Sequence, residues 1–162
     1  MKIIGGFTRL LVAPIAAFTV FCAAQPATAA LTGKPQPTLP TINLKLGGVV
    51  IRAEVANTDT TRQTGMMFRT RMGKNEGMLF VFESPGYYAM WMRNTLIPLS
   101  VAYLDAQGVI VSIHEMSAQT ENAHQAAGPV IYALEMNANW FTQHKIAAGD
   151  RLTGLNKAPK AK

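Results

Sequence analysis

Beyond residue 40 the apolar residues of this chain fall into short alternating or unbroken runs, separated by glycine, proline and aspartate turns. No stretch keeps a helical period long enough to build a helical core. Ile42, Leu44 and Leu46 alternate with Asn43 and Lys45, and after Gly47-Gly48 the pattern resumes with Val49, Ile51, Ala53 and Val55. Two period-two strands joined by Gly-Gly predict a β-hairpin with one buried face. Residues 78–82 and 87–92 are unbroken apolar runs, expected of strands covered on both faces, with Ser84-Pro85-Gly86 turning the chain between them. Residues 99–104 and 109–116 flank a turn at 105–108 as a second hairpin. Residues 130–136 add a strand, and Gly149-Asp150 turns into a closing strand near Leu152. Helix is confined to two short pieces. One begins at Thr58, whose hydroxyl can accept free helix amides, and closes at Gly65; the other covers residues 140–145. The expected fold is mainly β: a single-domain β-sandwich or partly open barrel with two short helices.

Residues 1–30 read as an export signal. Lys2 and Arg9 supply positive charge, residues 10–24 are apolar but too short to span a bilayer comfortably, and Ala27-Thr28-Ala29 offers a small-x-small cleavage pattern. Cys22, the one cysteine, lies inside that stretch behind the bulky Phe21, so no lipid anchor is expected. The mature chain is then cysteine-free, periplasmic or secreted, without a membrane anchor, and held by its core rather than by disulfides. Residues 31–40, with Pro35, Pro37 and Pro40, read as a linker, residues 41–155 as the domain, and residues 156–162 as a basic flexible tail.

The formal charge of +6 sits at the ends. Residues 31–156 hold ten Lys or Arg against nine Asp or Glu, a net of +1, so a nucleic-acid footprint is not expected. There is no Gly-x-Ser-x-Gly elbow, no phosphate loop and no dense metal-ligand set, and the reading leans away from an enzyme.

Several ordered motifs carry a family likeness: Gly65-Met66-Met67-Phe68-Arg69, Gly77-Met78-Leu79-Phe80-Val81-Phe82, the run from Trp91 through Asn94-Thr95 to Pro98-Leu99, Ala133-Leu134-Glu135, and Gly149-Asp150. Together they resemble the domain of unknown function 192, from about Leu44 to Leu155. The resemblance implies a compact, mostly β domain, often exported or membrane-tethered, with no agreed activity. Two departures stand out. Ser100 follows the Pro-Leu pair where the family often has an acid, and residues 119–128 lack the cysteine often found there.

Four residues form the leading candidate site. Arg69, Asn94 and Thr95 offer a guanidinium fork, an amide and a hydroxyl for a small anionic or polar ligand or a protein partner. Glu135 ends an apolar strand, where its charge needs a partner; Arg69 could be that partner, or the four could frame a ligand. A second reading makes Met90 and Met92, two apart on one strand face, soft ligands for Cu(I), with His114 as a third. Core packing is the alternative use of those methionines. A third reading is a hydrolase that pairs Glu135 with His114 or His124. His114-Glu115, Glu121-x-x-His124 and His144 are the remaining ligand types, at spacings that specify no metal site.

Overall fold

β1 (Thr41–Leu46) and β2 (Val49–Ala56) pair antiparallel in unbroken register from Thr41–Glu54 to Leu46–Val49. Gly47 and Gly48 turn the chain with φ of 55° and 82°, the conformation a two-residue hairpin demands. This computed structural model describes residues 32–162; the export segment read at residues 1–30, Cys22 included, lies outside them.

β2 then pairs parallel with β3 (Glu76–Gly86). A parallel pair needs a crossover, and here it is α1 (Asp59–Thr64) with the loop that follows. Thr58 caps α1 by accepting from the Thr61 amide, while the Thr61 side chain accepts from the Thr58 amide, a reciprocal cap. The remaining strands are β4 (Ala89–Met90), β5 (Leu99–Leu104), β6 (Ile110–Met116), β7 (His124–Gln125) and β8 (Val130–Asn137), followed by α2 (Trp140–Gln143). β1-β2-β3-β8-β5-β6 form one mixed sheet, and β4 and β7 form a separate two-stranded ribbon. The molecule is mainly β, in a sandwich-like, partly open barrel with two short helices.

Both faces of the large sheet are covered, as the unbroken apolar runs of β3 and β5 require. Leu79, Val81, Ala102, Leu104, Leu134 and Met136 point to one core, closed by Trp140 and Phe141 of α2 and by Ile146 and Leu152. Met78, Phe80, Val101, Tyr103 and Ala133 point to the other, closed by Met66, Met92 and Ala126 from loops. Each such large side chain, taken from water, contributes roughly 1.5–3 kcal/mol.

The two outer strands meet one segment. Lys45 of β1 bridges Thr153, and Val109, just before β6, bridges Arg151. Residues 151–153 thus strap the open seam of the sheet.

Three expectations change. Of the run 87–92, only Ala89 and Met90 form a strand, and it pairs with β7; Tyr87 is 64% exposed and Trp91 45%. Unbroken apolarity here edges a cleft instead of a buried strand. Ser84-Pro85-Gly86 extends β3, with a register shift between Val81 and Gly86, rather than ending it. Residues 156–162 are docked: Asn57 Nδ2 donates to the Lys160 carbonyl, the Lys162 amide donates to the Asn57 carbonyl, and Ala158 and Ala161 pack on the first core.

Candidate functional site

Cross-strand register aligns five residues on the second face of the sheet. Glu54 pairs with Met78, Met78 with Glu135, Glu135 with Val101, and Val101 with His114. The row therefore runs Glu54–Met78–Glu135–Val101–His114 across five strands. Partners in such a row share a face, and strands lie about 4.8 Å apart. Glu135 is thus about 9.5 Å from both Glu54 and His114, each time with one apolar residue between.

Above Glu135 lies a cavity of about 490 Å³. Glu135 and Thr95 are the buried polar residues in its lining. Phe80 and Phe82 of β3, Met66 and Met67 of the crossover loop, and Met90 and Trp91 wall it. Tyr88 stacks on Phe82 with ring centres 3.7 Å apart and planes 8° apart, and its hydroxyl donates to the Ser84 carbonyl at 2.8 Å, which fixes that wall. Arg62 closes one end. Its Nη1 donates to the Val81 carbonyl at 2.9 Å, and its Nη2 meets Asp59 at 2.5 Å and Glu83 at 3.6 Å. The lone cation of the lining is therefore already held by three acceptors.

Glu135 is buried, and its Oε2 has no hydrogen-bond partner among the described residues. Burial alone pushes its carboxyl up to about 8 from the ordinary 4.5, so at neutral pH it is largely the neutral acid, with a proton to donate. The Thr95 hydroxyl makes only a long 3.4 Å contact with the Arg93 carbonyl. Two polar groups at the cavity floor, neither well satisfied, face a largely apolar chamber. Gly77 allows this packing. A Cβ there would lie 2.6 Å from the Glu135 carbonyl oxygen and 2.5 Å from Met136 Sδ, so only glycine lets β3 approach β8 beside the acid.

The four leading candidates divide. Thr95 and Glu135 share the cleft. Arg69 instead grips Glu54 in a fork, Nη1 to Oε1 at 2.6 Å and Nη2 to Oε2 at 2.8 Å, with both side chains mostly buried. That pair lines a separate pocket of about 180 Å³. Asn94 is a turn residue with φ of 56°, whose carbonyl accepts from the Phe68 amide at 2.8 Å, setting Thr95 in place. The expected Arg69–Glu135 pair is replaced by Arg69–Glu54 because register puts the two acids in the same row and the crossover loop passes over the first.

The methionine reading also divides. Met92 is fully buried in the second core, since the strand ends at Met90 and the two side chains no longer alternate on one extended segment. His114 faces a histidine that the leading set omitted: its ring centre lies 6.1 Å from that of His124. Burial, and next the facing His124, hold the His114 imidazole below its ordinary value, while the Gln125 backbone pulls the other way. His144 is elsewhere, its Nδ1 2.7 Å from the Trp140 carbonyl, and Glu121 faces Arg93 at 3.7 Å. Of the two histidines in the hydrolase reading, His114 is not in contact with Glu135, because Val101 separates them in the row. Ser100, where the family often has an acid, is buried and donates to Glu115 at 2.6 Å while accepting from the Asn139 amide at 2.8 Å, a structural knot rather than a cleft residue.

The DUF192 family model, described as an uncharacterised ACR, matches residues 42–154. Among solved structures, the chain is similar to a candidate transcription regulator from Sinorhizobium meliloti 1021, at 30% identity and a TM-score of 0.68, over 73% of this chain and 96% of that one. It is equally similar to a protein of unknown function from Novosphingobium aromaticivorans DSM 12444, at 32% identity and a TM-score of 0.68, over 81% and 94% of the two chains. No curated protein matches it.

Proposed function

The chain belongs to the DUF192 family, and we propose that it is a non-enzymatic module that binds a small organic ligand in the cleft above Glu135. One observation carries this reading: a fully buried carboxyl with an unpartnered oxygen lines a cavity of about 490 Å³. A buried polar group without a partner costs roughly 1–3 kcal/mol, and a ligand that supplies the missing hydrogen bond recovers it. The size and the mix of aromatic and thioether walls around a few polar groups are those of a metabolite site.

The charge of the lining narrows the ligand. Arg62 is the one cation of the lining and its guanidinium is engaged by Asp59 and Glu83, which leaves no free positive charge, so a neutral or cationic head group suits the cleft better than an anion. An amide, hydroxyl or amine would meet Glu135 and Thr95, with an apolar body against Phe82, Tyr88 and Trp91. The export segment read at residues 1–30 would place this site outside the cytoplasm. The regulator description of the Sinorhizobium meliloti relative is not carried over, because an acidic rim repels nucleic acid.

The test is protection of the chain against heat by a panel of amines, amides, sugars and carboxylic acids. Glu135→Leu and Thr95→Val are each expected to remove the protection. Glu135→Gln keeps it for a neutral ligand and loses it for an amine. Protection by no member of the panel, or protection indifferent to Glu135→Leu and Thr95→Val, rejects the reading.

A further inference from the structure

Beside the cleft, two imidazoles face each other without satisfying each other. His114 stands on β6 opposite Val101, and His124 on β7 opposite Met90. Their ring centres are 6.1 Å apart, and the Nε2 atoms of both are buried with no hydrogen-bond partner among the described residues. Two such nitrogens left empty at one place carry a double desolvation cost that an occupant would relieve.

We propose that His114 and His124, with Met90, form a Cu(I) site. The spacing suits a single ion: imidazole nitrogens bind metal at about 2.0 Å, which sets two rings that share an ion on the order of 6 Å apart between centres. The third ligand follows from register. Met90 and His124 are direct partners in the β4–β7 ribbon, so their side chains lie on one face of it. Imidazole with thioether is a soft donor set. No group of three His, Cys, Asp or Glu suited to a metal occurs among the described residues, which disfavours a four-coordinate zinc centre and leaves the low-coordinate ion that thioethers select.

The ribbon is also held in place beforehand. The Tyr103 hydroxyl donates to the His124 carbonyl at 2.5 Å, the Ala126 amide to the Tyr88 carbonyl at 2.9 Å, and the Ala127 amide to Ser112 Oγ at 3.2 Å. These bonds tie β7 to β5, to the cleft wall and to β6, on both sides of the histidine pair. A site fixed by its surroundings before the ion arrives spends little on ordering. The two histidines are not in the lining of the cleft, whereas Met90 is, so the histidine variants test this site apart from the ligand at Glu135.

The experiment is titration of the full chain with Cu(I) under ascorbate against a chromophoric chelator. One ion per chain is expected, with affinity falling about tenfold or more in His114→Asn and in His124→Asn, and by less in Met90→Leu. Retention of no ion by the unmodified chain, or an affinity in either histidine variant unchanged from that of the unmodified chain, overturns the site. Should the histidine variants fail to fold, X-ray absorption of the copper-loaded unmodified chain decides. A first shell of nitrogen with one sulfur supports the assignment, and a shell of sulfur alone overturns it.

Discussion

Glu54 and Glu135 stand in one row of the sheet with Met78 between them, and only Glu54 has a cation. Arg69 spends both terminal nitrogens on Glu54, whose Oε2 also accepts from the Leu39 amide at 2.8 Å. Arg69→Ala would leave that half-sequestered carboxylate with a single backbone donor. Urea unfolding should show a loss of roughly 2–4 kcal/mol, while any ligand found for the cleft keeps its affinity. A loss of ligand affinity without a loss of stability would return Arg69 to the binding site.

Glu135 predicts an unusual pH profile. Its folded carboxyl titrates near 8 against an ordinary 4.5, so the native chain holds a proton that the unfolded chain releases between those values. Stability from this group is fully present below about 4.5 and falls as pH rises toward 8, with a slope of up to roughly 1.4 kcal/mol per pH unit. Denaturant midpoints of the unmodified chain, relative to Glu135→Gln, should decline across that window and level off above it. A parallel pair of profiles would show that the carboxyl is charged in the fold.

Gly77→Ala should be among the most damaging small substitutions. The added methyl meets the Glu135 carbonyl oxygen and Met136 Sδ below any ordinary contact distance, forcing β3 from β8 beside the cleft floor. A loss of roughly 2–4 kcal/mol is expected by thermal or urea melting, together with weaker binding in the cleft. Neutrality would mean the two strands sit farther apart there.

Removal of residues 156–162 should cost stability. Ala158 and Ala161 lie on the first core and Asn57 bonds the segment twice, so a loss of roughly 1–2 kcal/mol is expected in denaturant. A freely moving tail would leave the midpoint where it was.

Local elements were legible in the residues, and their long-range partners were not. Alternation at 42–46 and 49–55 gave the β1–β2 hairpin, and Thr58 marked the start of α1, because both signals lie within one element. The position of Glu135 opposite Val101 and two strands from His114 depends on which distant strands pair and in what register, and no local pattern encodes that. Hence Thr95 and Glu135 could be named together as candidates that share one cleft, while the pairing of Arg69 with Glu54 could not be foreseen. The run 87–92 misled for another reason: Tyr88, Met90 and Trp91 line a cleft, and composition does not distinguish a lining from a core. His124 was visible as half of a weak Glu-x-x-His spacing and as one possible partner of Glu135, whereas its actual neighbours come from β4 and β6.

The strap at residues 151–153 has a kinetic consequence. Lys45 and Thr153, which it joins, are 108 residues apart in the chain, so the outer edge of the first strand, whose inner edge pairs locally with β2, stays open until nearly the whole domain is in position. Such distant closure slows folding. Until that moment the exposed flank of β1 is open to other chains, and the interval before closure is when this protein is most prone to aggregate.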